Sequence, residues 1–553
     1  MTTDFDTPSI RSSGRSSTEG ATTVEVIAKR LAEAGCRFAF GMPGGEVLAM
    51  MDALDRADIR VVLVKHENCG GFMGEGAWHG GGGPAILLAT IGPGVANAVN
   101  VIANAWQERV PMIVLTGSVP ALEAETYTHQ VFDHLALLRP VTKAVFRLAR
   151  GTADVVVEKA LTVAMSGRPG PVLLDLPMDV QNAGEDQWHP GVRNVAAPMM
   201  PSGDALETAR RWLEQAERPL VLAGLDVRTQ GADEAVAGLC RSLGAPLITT
   251  YKAKGVLPED DPLAMGGAGL SPLCDQELLP LVHASDCVVL AGYDPIEMRI
   301  GWRNPFVPHQ RIIDISAEIN THSMHQADLE FVGDIAASIR SLAQDLVSRS
   351  TWPNGEPAVL RDRLRTILKI DETWGPAAVI DEARKASPRD VIATADSGAH
   401  RILFSQIWES YVPGGVLQSS ALCTMGSAVP LAIGRKLAEP DRPVIAFVGD
   451  AGMEMVLGEL ATARDLGLAL PIVVFVDNQL ALIELKQRTQ GMTTLGVDFG
   501  QTDFVAVAQA LGGHGAWVDN RDRLSQEITH AFERSTFTLI AATIGRNAYD
   551  KRI

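Results

Sequence analysis

Two oxygen-bearing side chains follow apolar runs in the last third of the chain. Asp450 follows "VIAFVG" and Asn478 follows "PIVVFVD". In an open α/β sheet the loops at the carboxyl ends of parallel strands form the ligand crevice, so the two side chains can present oxygen atoms to one point. Asp, Asn and a backbone carbonyl, such as that of Leu480, are ligands suited to Mg²⁺, whose remaining ligands are usually phosphate oxygens. The pair therefore indicates a magnesium and phosphate site, although either residue alone is more simply a turn residue or a loop cap.

The residues beside Asp450 are small. Gly449, Ala451 and Gly452 would let the backbone approach a phosphate group closely. The segment from Met453 onward is apolar at positions 453, 456, 457 and 460, which predicts a helix whose N-terminus attracts the anion.

A carboxylate also follows an apolar run near the start of the chain. The stretch "VVLVKHENCGG" places Glu67 just after a predicted strand. Such a carboxylate is either a solvated strand end or a catalytic acid in a dry cleft, and the stretch alone leaves both open. Its neighbour His66 is more simply a hydrogen-bonded structural residue than a proton shuttle. The nearby "GPGVAN" lacks the Lys-Ser/Thr of a P-loop.

The elements around these residues follow an α/β pattern. Short runs rich in Val, Ile and Leu alternate with Ala-rich amphipathic stretches, which is typical of parallel strands joined by helices. We predict buried strands at 60–65, 84–90, 111–117, 171–177, 219–224, 287–292, 443–450 and 471–478, and linkers at 182–204 and 348–362. The predicted fold is α/β with three doubly wound domains of mainly parallel sheets, at 20–185, 203–347 and 370–545, after a disordered tail at 1–19.

Length, charge and cysteine usage restrict the function. A chain of 553 residues is too long for one ordinary core and fits about three domains. Its net charge of -18 argues against nucleic acid and against an anionic membrane surface as partners. The six cysteines are scattered without a Cys-x-x-Cys pair, and no apolar run approaches the length of a membrane span. These features predict a cytoplasmic protein with reduced thiols.

The motif around the predicted metal site resembles that of a known superfamily. "GDAGMEM…VDNQL" looks like the thiamine diphosphate motif, in which Gly-Asp-Gly/Ala is followed at this distance by Asn. "FGMPGGEVLAMMDAL", "KHENCGG", "ATIGPGVANAVNVIANAWQERVPMIVLTGSVP", "GRPGPVLLDLP" and "TADSGAHRILF…TMGSAVPLAIG" resemble, in order, landmarks of its acetolactate synthase group. The resemblance covers nearly all of residues 20–545. It implies a thiamine diphosphate-binding fold for the first and third domains and a Rossmann-like central domain.

The resemblance implies a role for each matching residue. Magnesium would be held by Asp450, Asn478 and the carbonyl of Leu480. Met425 would be the apolar wedge that bends the cofactor so that its aminopyrimidine faces its thiazolium, although without the resemblance a Met there would be ordinary core. The cofactor diphosphate would lie along the small residues of two loops: Gly398, Ala399, His400, Gly449, Ala451 and Gly452.

Glu67 would pair with a ring nitrogen of the aminopyrimidine. A carboxylic acid in a low-dielectric pocket exchanges a proton there, which turns the exocyclic amine into the base that deprotonates the thiazolium carbon. In this superfamily the glutamate and the diphosphate site come from different subunits. The resemblance therefore implies at least a homodimer, with a homotetramer as the alternative.

The chain departs from pyruvate-specific synthases where the substrate would approach. Glu46 stands where a small residue is usual, His129 where a phenylalanine is common, and Ser397 where an aliphatic residue is common. Gln487 falls near the position of a tryptophan that sets specificity, and Met178 stands where a lysine is common, whereas Gln130, beside His129, is retained. Polar groups are costly to bury without partners, so we expect a substrate more polar than pyruvate. The alternative is that solvent or neighbouring side chains satisfy these residues and the substrate is ordinary.

The resemblance implies a carboligase that decarboxylates a 2-oxo acid and transfers the carbanion to an acceptor carbonyl. A 2-oxo acid decarboxylase or a C–C lyase would share every cofactor residue, and a flavin-dependent oxidase is a further alternative. A non-catalytic regulatory relative is disfavoured because Glu67, Asp450 and Asn478 are all present. The central domain holds FAD in some relatives. Here "LAGLDVRTQG" lacks the Gly-x-Gly-x-x-Gly spacing and "GYDPIEM" is similar to the catabolic, flavin-free members, so we predict no functional FAD.

Overall fold

Three parallel six-stranded sheets follow one another along the chain. The computed structural model describes residues 20–185, 199–296 and 298–553, so the predicted tail at 1–19 and most of the predicted linker at 182–204 lie outside the described residues. Strand pairs within each sheet are parallel, and most successive strands are joined through helices. The predicted α/β class with three doubly wound domains is confirmed.

The first sheet has the strand order β2-β1-β3-β4-β6-β5. Its strands are β1 Phe38–Gly41, β2 Arg60–Leu63, β3 Ala85–Ala89, β4 Met112–Ser118, β5 Ala144–Arg147 and β6 Pro171–Pro177. The helices are α1 Thr23–Glu33, α2 Leu48–Arg56, α3 Glu67–His79, α4 Pro93–Gln107, α5 His134–Leu138, α6 Ala153–Met165 and α7 Met178–Gln181. The order reverses between β1 and β3, so the loops after these strands form a crevice at the carboxyl edge.

The central sheet has the strand order β12-β11-β10-β7-β8-β9. Its strands are β7 Pro219–Ala223, β8 Leu247–Thr249, β9 Ala264–Gly267, β10 Cys287–Ala291, β11 Arg311–Ser316 and β12 Leu329–Val332. The helices are α8 Asp204–Gln215, α9 Leu225–Thr229, α10 Asp233–Leu243, α11 Pro272–Ala284 and α12 Ile335–Ala343. Counted within the domain, this is the Rossmann order, as the resemblance implies.

After α13 Glu356–Ile367, the third sheet has the order β14-β13-β15-β16-β18-β17, which repeats the arrangement of the first sheet. Its strands are β13 Ile392–Ala395, β14 Val416–Gln418, β15 Val444–Gly449, β16 Pro471–Val476, β17 His514–Val518 and β18 Thr538–Thr543. The helices are α14 Pro376–Ala386, α15 Ala399–Ile407, α16 Ala428–Ala438, α17 Asp450–Met455, α18 Glu459–Asp465, α19 Ala481–Thr489, α20 Phe504–Ala510 and α21 Arg521–Glu533.

All eight predicted strands are present, with ends within two residues of the prediction. The remaining strands were not predicted because most are short or only partly buried, as in β12, where half-buried and exposed positions alternate and do not form an apolar run. The second predicted linker is more ordered than its composition suggests. Trp352 is buried in the central domain, where its indole Nε1 donates to the carbonyl of Pro219 at 2.9 Å, and α13 begins at Glu356.

The helix predicted from Met453 onward is wrong in its bounds. The chain enters α17 directly from β15 at Asp450, leaves it at Met455, and begins α18 at Glu459. A turn separates the two helices at 456–458. There Gly458 lies against the first domain, since a Cβ added to it would be 3.2 Å from Cβ of Lys65. The break therefore brings the turn between α17 and α18 into contact with the segment that follows β2.

The first and third domains share one hydrophobic core. Val64 and Met73 of the first domain pack in the same cluster as Ile433 and Leu460 of the third. Helices α3 and α16 approach closely, because a Cβ added to Gly434 would lie 1.8 Å from the carbonyl oxygen of Met73. Within the described residues, no helix combines the length and apolarity that a membrane span requires.

Candidate active site

A cavity of about 190 Å³ opens at the carboxyl edge of the third sheet. It lies where the strand order reverses, between β13 and β15, and extends to the loop after β16. Its wall contains most of the residues predicted to hold diphosphate and metal, Gly398, Ala399, His400, Gly449, Asp450, Ala451, Gly452 and Leu480, together with the predicted wedge Met425 and the predicted substrate residue Ser397. It also contains residues that the sequence analysis missed: Cys423, Phe475, Asp477, Gln479, Ala481, Leu482, Ile483 and Tyr549.

Asp450 joins the loops after two adjacent strands. Its Oδ2 accepts hydrogen bonds from the backbone amides of Asp477 at 3.0 Å and Asn478 at 2.7 Å, and its Oδ1 accepts from Ala451 at 2.8 Å. Asn478 itself does not line the cavity and adopts a left-handed φ of 56°. The two predicted metal ligands therefore lie in hydrogen-bonded loops at one sheet edge, as predicted from their positions after the strands.

Two carboxylates crowd this point. Burial raises the pKa of Asp450, although the three backbone amides act in the opposite direction. Burial and the nearby Asp450 carboxylate raise the pKa of Asp477 to about 7. Adjacent buried carboxylates are stabilised by a compensating cation, so this part of the wall fits a bound divalent ion. A group of three or more His, Cys, Asp or Glu side chains that could hold a metal does not occur among the described residues. The predicted magnesium ligands, Asp450, Asn478 and the carbonyl of Leu480, do not form such a group because only Asp450 is a carboxylate.

The carbonyl of Leu480 has other partners in this structure. Leu480 is the residue before α19, and its carbonyl oxygen accepts from the amides of Ile483 and Glu484, both at 2.9 Å. The next residue towards β16, Gln479, is buried with an exposed fraction of 3 %. Both polar atoms of its side-chain amide lack a partner with hydrogen-bond geometry among the described residues. The Gln479 side chain lies beside the Asp477 carboxylate, where it acts against the rise of the Asp477 pKa, and it adds a polar group to the cavity wall.

Asp396 organises the other side of the cavity and was missed by the sequence analysis. Its carboxylate accepts from the amide of Gly426 at 2.6 Å and from that of Gly449 at 3.2 Å, and it lies 2.8 Å from Nε2 of His400. The His400 ring also stacks on Phe475, with centroids 5.1 Å apart. One buried carboxylate thus ties together three loops that line the cavity. Its place in "TADSGAH", directly after β13, was the available signal.

Two of the predicted diphosphate glycines have a steric explanation. A Cβ added to Gly452 would lie 2.2 Å from Oδ2 of Asp396, and one added to Gly398 would lie 2.6 Å from the ring of His400. Neither residue has a left-handed φ. Glycine is required at both positions because the Asp396 and His400 side chains already occupy the space that a Cβ would need. Without a Cβ, the backbone at these positions stays accessible to a ligand.

Glu67 lies at the carboxyl edge of the first sheet and does not line the cavity that Asp450 lines. It is buried, with an exposed fraction of 4 %, and its Oε2 accepts from Nδ2 of Asn97 at 3.0 Å. His66 is the N-cap of α3, and its Nδ1 accepts from the amide of Asn68 at 3.2 Å. The dry-cleft alternative fits Glu67, and the structural interpretation fits His66.

The residues predicted to meet the substrate fall at different places. Ser397 lines the cavity, and half-buried Glu46 accepts from Oγ1 of Thr90 at 2.7 Å at the same sheet edge as Glu67. His129 and Gln130 are exposed, in the loop after β4. Gln487 is directed elsewhere, since its amide bonds the backbone of Leu495 through both Nε2 and Oε1, each at 3.1 Å.

Carboxylates occupy the switch point of the central sheet, between β7 and β10. Arg168 of the first domain donates to Asp226 at 2.9 Å, and Arg109 donates to Asp294 at 2.7 Å. The backbone is also closely packed there, because a Cβ added to Gly224 would lie 2.4 Å from the Gly292 carbonyl oxygen. Carboxylates and packed backbone do not fit the diphosphate of a dinucleotide, which such a crevice binds in other Rossmann domains.

Comparison with known families gives the same three units. The family described as thiamine pyrophosphate enzyme, N-terminal TPP binding domain, matches residues 21–137. The corresponding central domain matches residues 206–342, and the C-terminal TPP binding domain matches residues 396–542. Thiamine pyrophosphate is another name for thiamine diphosphate. The cavity lies within the C-terminal match, and Glu67 lies within the N-terminal match.

Curated relatives are similar over most of the chain. The acetolactate synthase of Bacillus subtilis is 30% identical over 517 residues, which cover 91% of this chain and 89% of the relative. The large subunit of acetolactate synthase isozyme 1 of Escherichia coli is 31% identical over 516 residues, covering 91% and 90%. The catabolic acetolactate synthase of Raoultella terrigena is 28% identical over 523 residues, covering 92% of each chain. The chain therefore belongs to the thiamine pyrophosphate enzymes, in their acetolactate synthase family.

Proposed function

We propose that this chain is a magnesium- and thiamine diphosphate-dependent synthase that decarboxylates a 2-oxo acid and joins the resulting carbanion to an acceptor carbonyl. The observation that carries the proposal is the cavity at the switch point of the third sheet, which Asp450 lines while its carboxylate holds the backbone amide of Asn478, and whose other side is organised by Asp396. When bound there, thiamine diphosphate supplies an electron sink for cleavage of a bond next to a carbonyl.

The residues of the cavity have distinct proposed roles. Asp450 and Asn478 hold the magnesium ion, and the ion in turn holds the diphosphate. Leu480 is the proposed third protein ligand, for which its carbonyl must share or give up its hydrogen bonds to the start of α19. The backbone around Gly398 and Gly452 accommodates the diphosphate, and Met425 supplies an apolar surface beside it.

Glu67 is the proposed proton partner of the aminopyrimidine ring. Its burial favours a group that exchanges a proton with a ligand rather than with solvent, and the Asn97 amide fixes one of its oxygens. Glu67→Gln should leave cofactor binding intact and remove nearly all turnover. Asp450→Ala should instead abolish magnesium-dependent binding, measured by calorimetric titration of thiamine diphosphate into the protein. Undiminished turnover of Glu67→Gln would contradict the assignment.

The separation of Glu67 from the cavity supports an active site shared between two copies of the chain. Apolar side chains that such a contact could cover are exposed in both domains: Leu48, Leu63 and Phe132 in the first, and Met455 and Ile483 in the third. Mixing the inactive Glu67→Gln and Asp450→Ala chains tests the arrangement. A mixed dimer regains one complete site only if the two residues act across the interface, so recovered activity supports a homodimer. Sedimentation distinguishes a homodimer from a homotetramer.

The proposed substrate is a 2-oxo acid, either pyruvate or a more polar analogue. Ser397 supports a polar substrate because it lines the cavity, whereas Glu46 and Gln487 have partners of their own. A screen of 2-oxo acids, with and without aldehyde and ketone acceptors, separates the reactions. Release of carbon dioxide that requires an acceptor supports the synthase, and release without one supports the decarboxylase. Turnover of pyruvate alone as efficient as that of any polar compound would argue against the polar substrate.

We propose that the central domain holds no FAD. The ion pairs of Asp226 and Asp294 at its switch point support this, and a colourless purified protein without flavin absorbance would agree with it.

A cytosolic location is proposed from the cysteines. All six are free, five of them are buried, and none forms a disulfide in the described residues.

A further inference from the structure

A buried carboxylate of the third domain holds the turn that precedes Glu67. Glu459, with an exposed fraction of 1 %, begins α18. Its Oε1 accepts from the backbone amides of Lys65 at 2.9 Å and His66 at 3.1 Å, residues nearly four hundred positions away in the chain. The thiol of Cys69, in the first turn of α3, also lies beside this carboxylate. Glu459 therefore contacts the backbone before Glu67 and a side chain after it.

The contacts compensate the buried charge of Glu459. Burial raises the pKa of this carboxyl, while hydrogen bonds from Thr462 and the two amides, together with the nearby Cys69 thiol, act in the opposite direction. Oγ1 of Thr462 donates to Oε2 at 2.8 Å. A buried carboxylate held by this many donors is fixed in place, and it fixes the backbone that supplies them.

The position of the turn at Lys65 and His66 depends on its hydrogen bonds to Glu459. Lys65 and His66 are exposed, and besides Glu459 they are held by the contact of Lys65 with Gly458 and by the hydrogen bond from Asn68 to the His66 ring. The helix that begins at Glu67 is anchored further along by its close approach to α16, and the Glu67 carboxylate receives one bond from Asn97. The strand end, by contrast, is tied to the third domain through Oε1 of Glu459.

We propose that Glu459 is a positioning residue for Glu67: by holding the amides of Lys65 and His66, it sets where the Glu67 carboxylate meets the cofactor ring. The inference rests on the proposed function of Glu67. A displacement of about 1 Å in a group that must reach a reacting partner can lower a rate about a hundredfold, so this hydrogen-bonded support affects the reaction without touching the cofactor.

Two substitutions separate the acceptor from the shape of the side chain. Glu459→Gln keeps an oxygen for both amides, whereas Glu459→Leu has a similar shape and no acceptor. In the cofactor-free protein, amide hydrogen exchange of peptides covering residues 60–70 should accelerate at least tenfold in the Leu variant and remain close to wild type in the Gln variant. Should Glu459→Leu fail to fold, Glu459→Asp takes its place, since it shortens the side chain by one carbon and withdraws the acceptor.

The second measurement is the rate at which the thiazolium carbon of bound thiamine diphosphate exchanges its proton for deuterium, without substrate. We expect this rate to fall by about tenfold or more in Glu459→Leu or Glu459→Asp, with the cofactor dissociation constant changed less than about threefold. Glu459→Gln should restore most of the rate. A purely structural role would lower affinity, thermal stability and exchange rate together, or leave the exchange rate unchanged, and either result would overturn the proposal.

Glu185 provides a matched control. It is buried and accepts from two backbone amides, those of Gly151 and Ala153, and from the hydroxyl of Thr23, which is close to the donor set of Glu459. Glu185→Ala should lower thermal stability and leave the exchange rate near wild type. Glu67→Gln tests the proposed function separately. If it keeps the wild-type exchange rate, the proposed role of Glu67 fails, whereas loss in Glu67→Gln with none in the Glu459 variants refutes only the positioning role.

Discussion

Replacement of Gly452 by Ala tests whether the wall of the cavity is as tightly built as its geometry indicates. The added Cβ would lie 2.2 Å from Oδ2 of Asp396, where an ordinary contact is at least 3.4 Å. Asp396 has little freedom to withdraw, because it also bonds the amides of Gly426 and Gly449 and the ring of His400. The substitution must therefore displace the first turn of α17, the Asp396 carboxylate, or both, by roughly 1 Å.

The expected cost follows from these contacts. Overpacking of a tight site costs about 1–3 kcal/mol, and loss of the hydrogen bond from Gly426 to the charged Asp396 costs about 1.5–3 kcal/mol. If about 2 kcal/mol of this is lost in cofactor binding, the dissociation constant rises about 30-fold. The remainder should appear as a lower melting temperature of the cofactor-free protein.

Calorimetric titration of thiamine diphosphate with Mg²⁺, together with thermal unfolding, measures both parts. Gly238→Ala is the control, because an added Cβ at this helical position meets nothing within 4 Å. It should leave cofactor affinity unchanged and stabilise the protein by up to about 1 kcal/mol. An affinity of Gly452→Ala within twofold of wild type, with an unchanged melting temperature, would refute the steric argument.

Three further predictions concern the buried polar groups behind the site. Asn97→Ala removes the hydrogen bond to Glu67 and should lower kcat by about 10- to 100-fold, while leaving cofactor affinity near wild type in a titration. Burial raises the pKa of Glu75 to about 7, above its ordinary value of 4.5, so the free energy of unfolding should fall as the pH rises through this range, and Glu75→Gln should remove the decline in melting temperature. Lys252→Met leaves Glu75 and Glu108 buried without their cation and should cost about 3–5 kcal/mol in denaturant unfolding near pH 8, and less near pH 5.

The fold class, the cofactor motif and the longest strands could be predicted from the amino-acid sequence alone. Buried parallel strands such as β4 and β6 are unbroken apolar runs, so neighbouring residues suffice to identify them. The positions of Asp450 and Asn478 were also predictable, because parallel strands place their carboxyl ends at one edge and the motif fixes which strands are neighbours. The small residues around them carried the same information.

The hydrogen bonds that support these residues, and the directions of the polar side chains around the cavity, follow from tertiary contacts and were not predicted. The contact of Glu459 with Lys65 joins different domains, and the amides of Gly426 and Gly449 donate to Asp396 from separate segments of the chain. A local sequence pattern therefore cannot predict these contacts. The direction of a polar side chain is decided by its nearest partner.

Gln487 illustrates this, since it turns to the Leu495 backbone rather than to the cavity. The division of the predicted helix after Met455 has the same kind of cause. The apolar spacing from Met453 onward fits one helix, but Gly458 packs against Lys65 of another domain. Hydrophobic periodicity describes only the residues within one segment, so it cannot predict a contact with another domain.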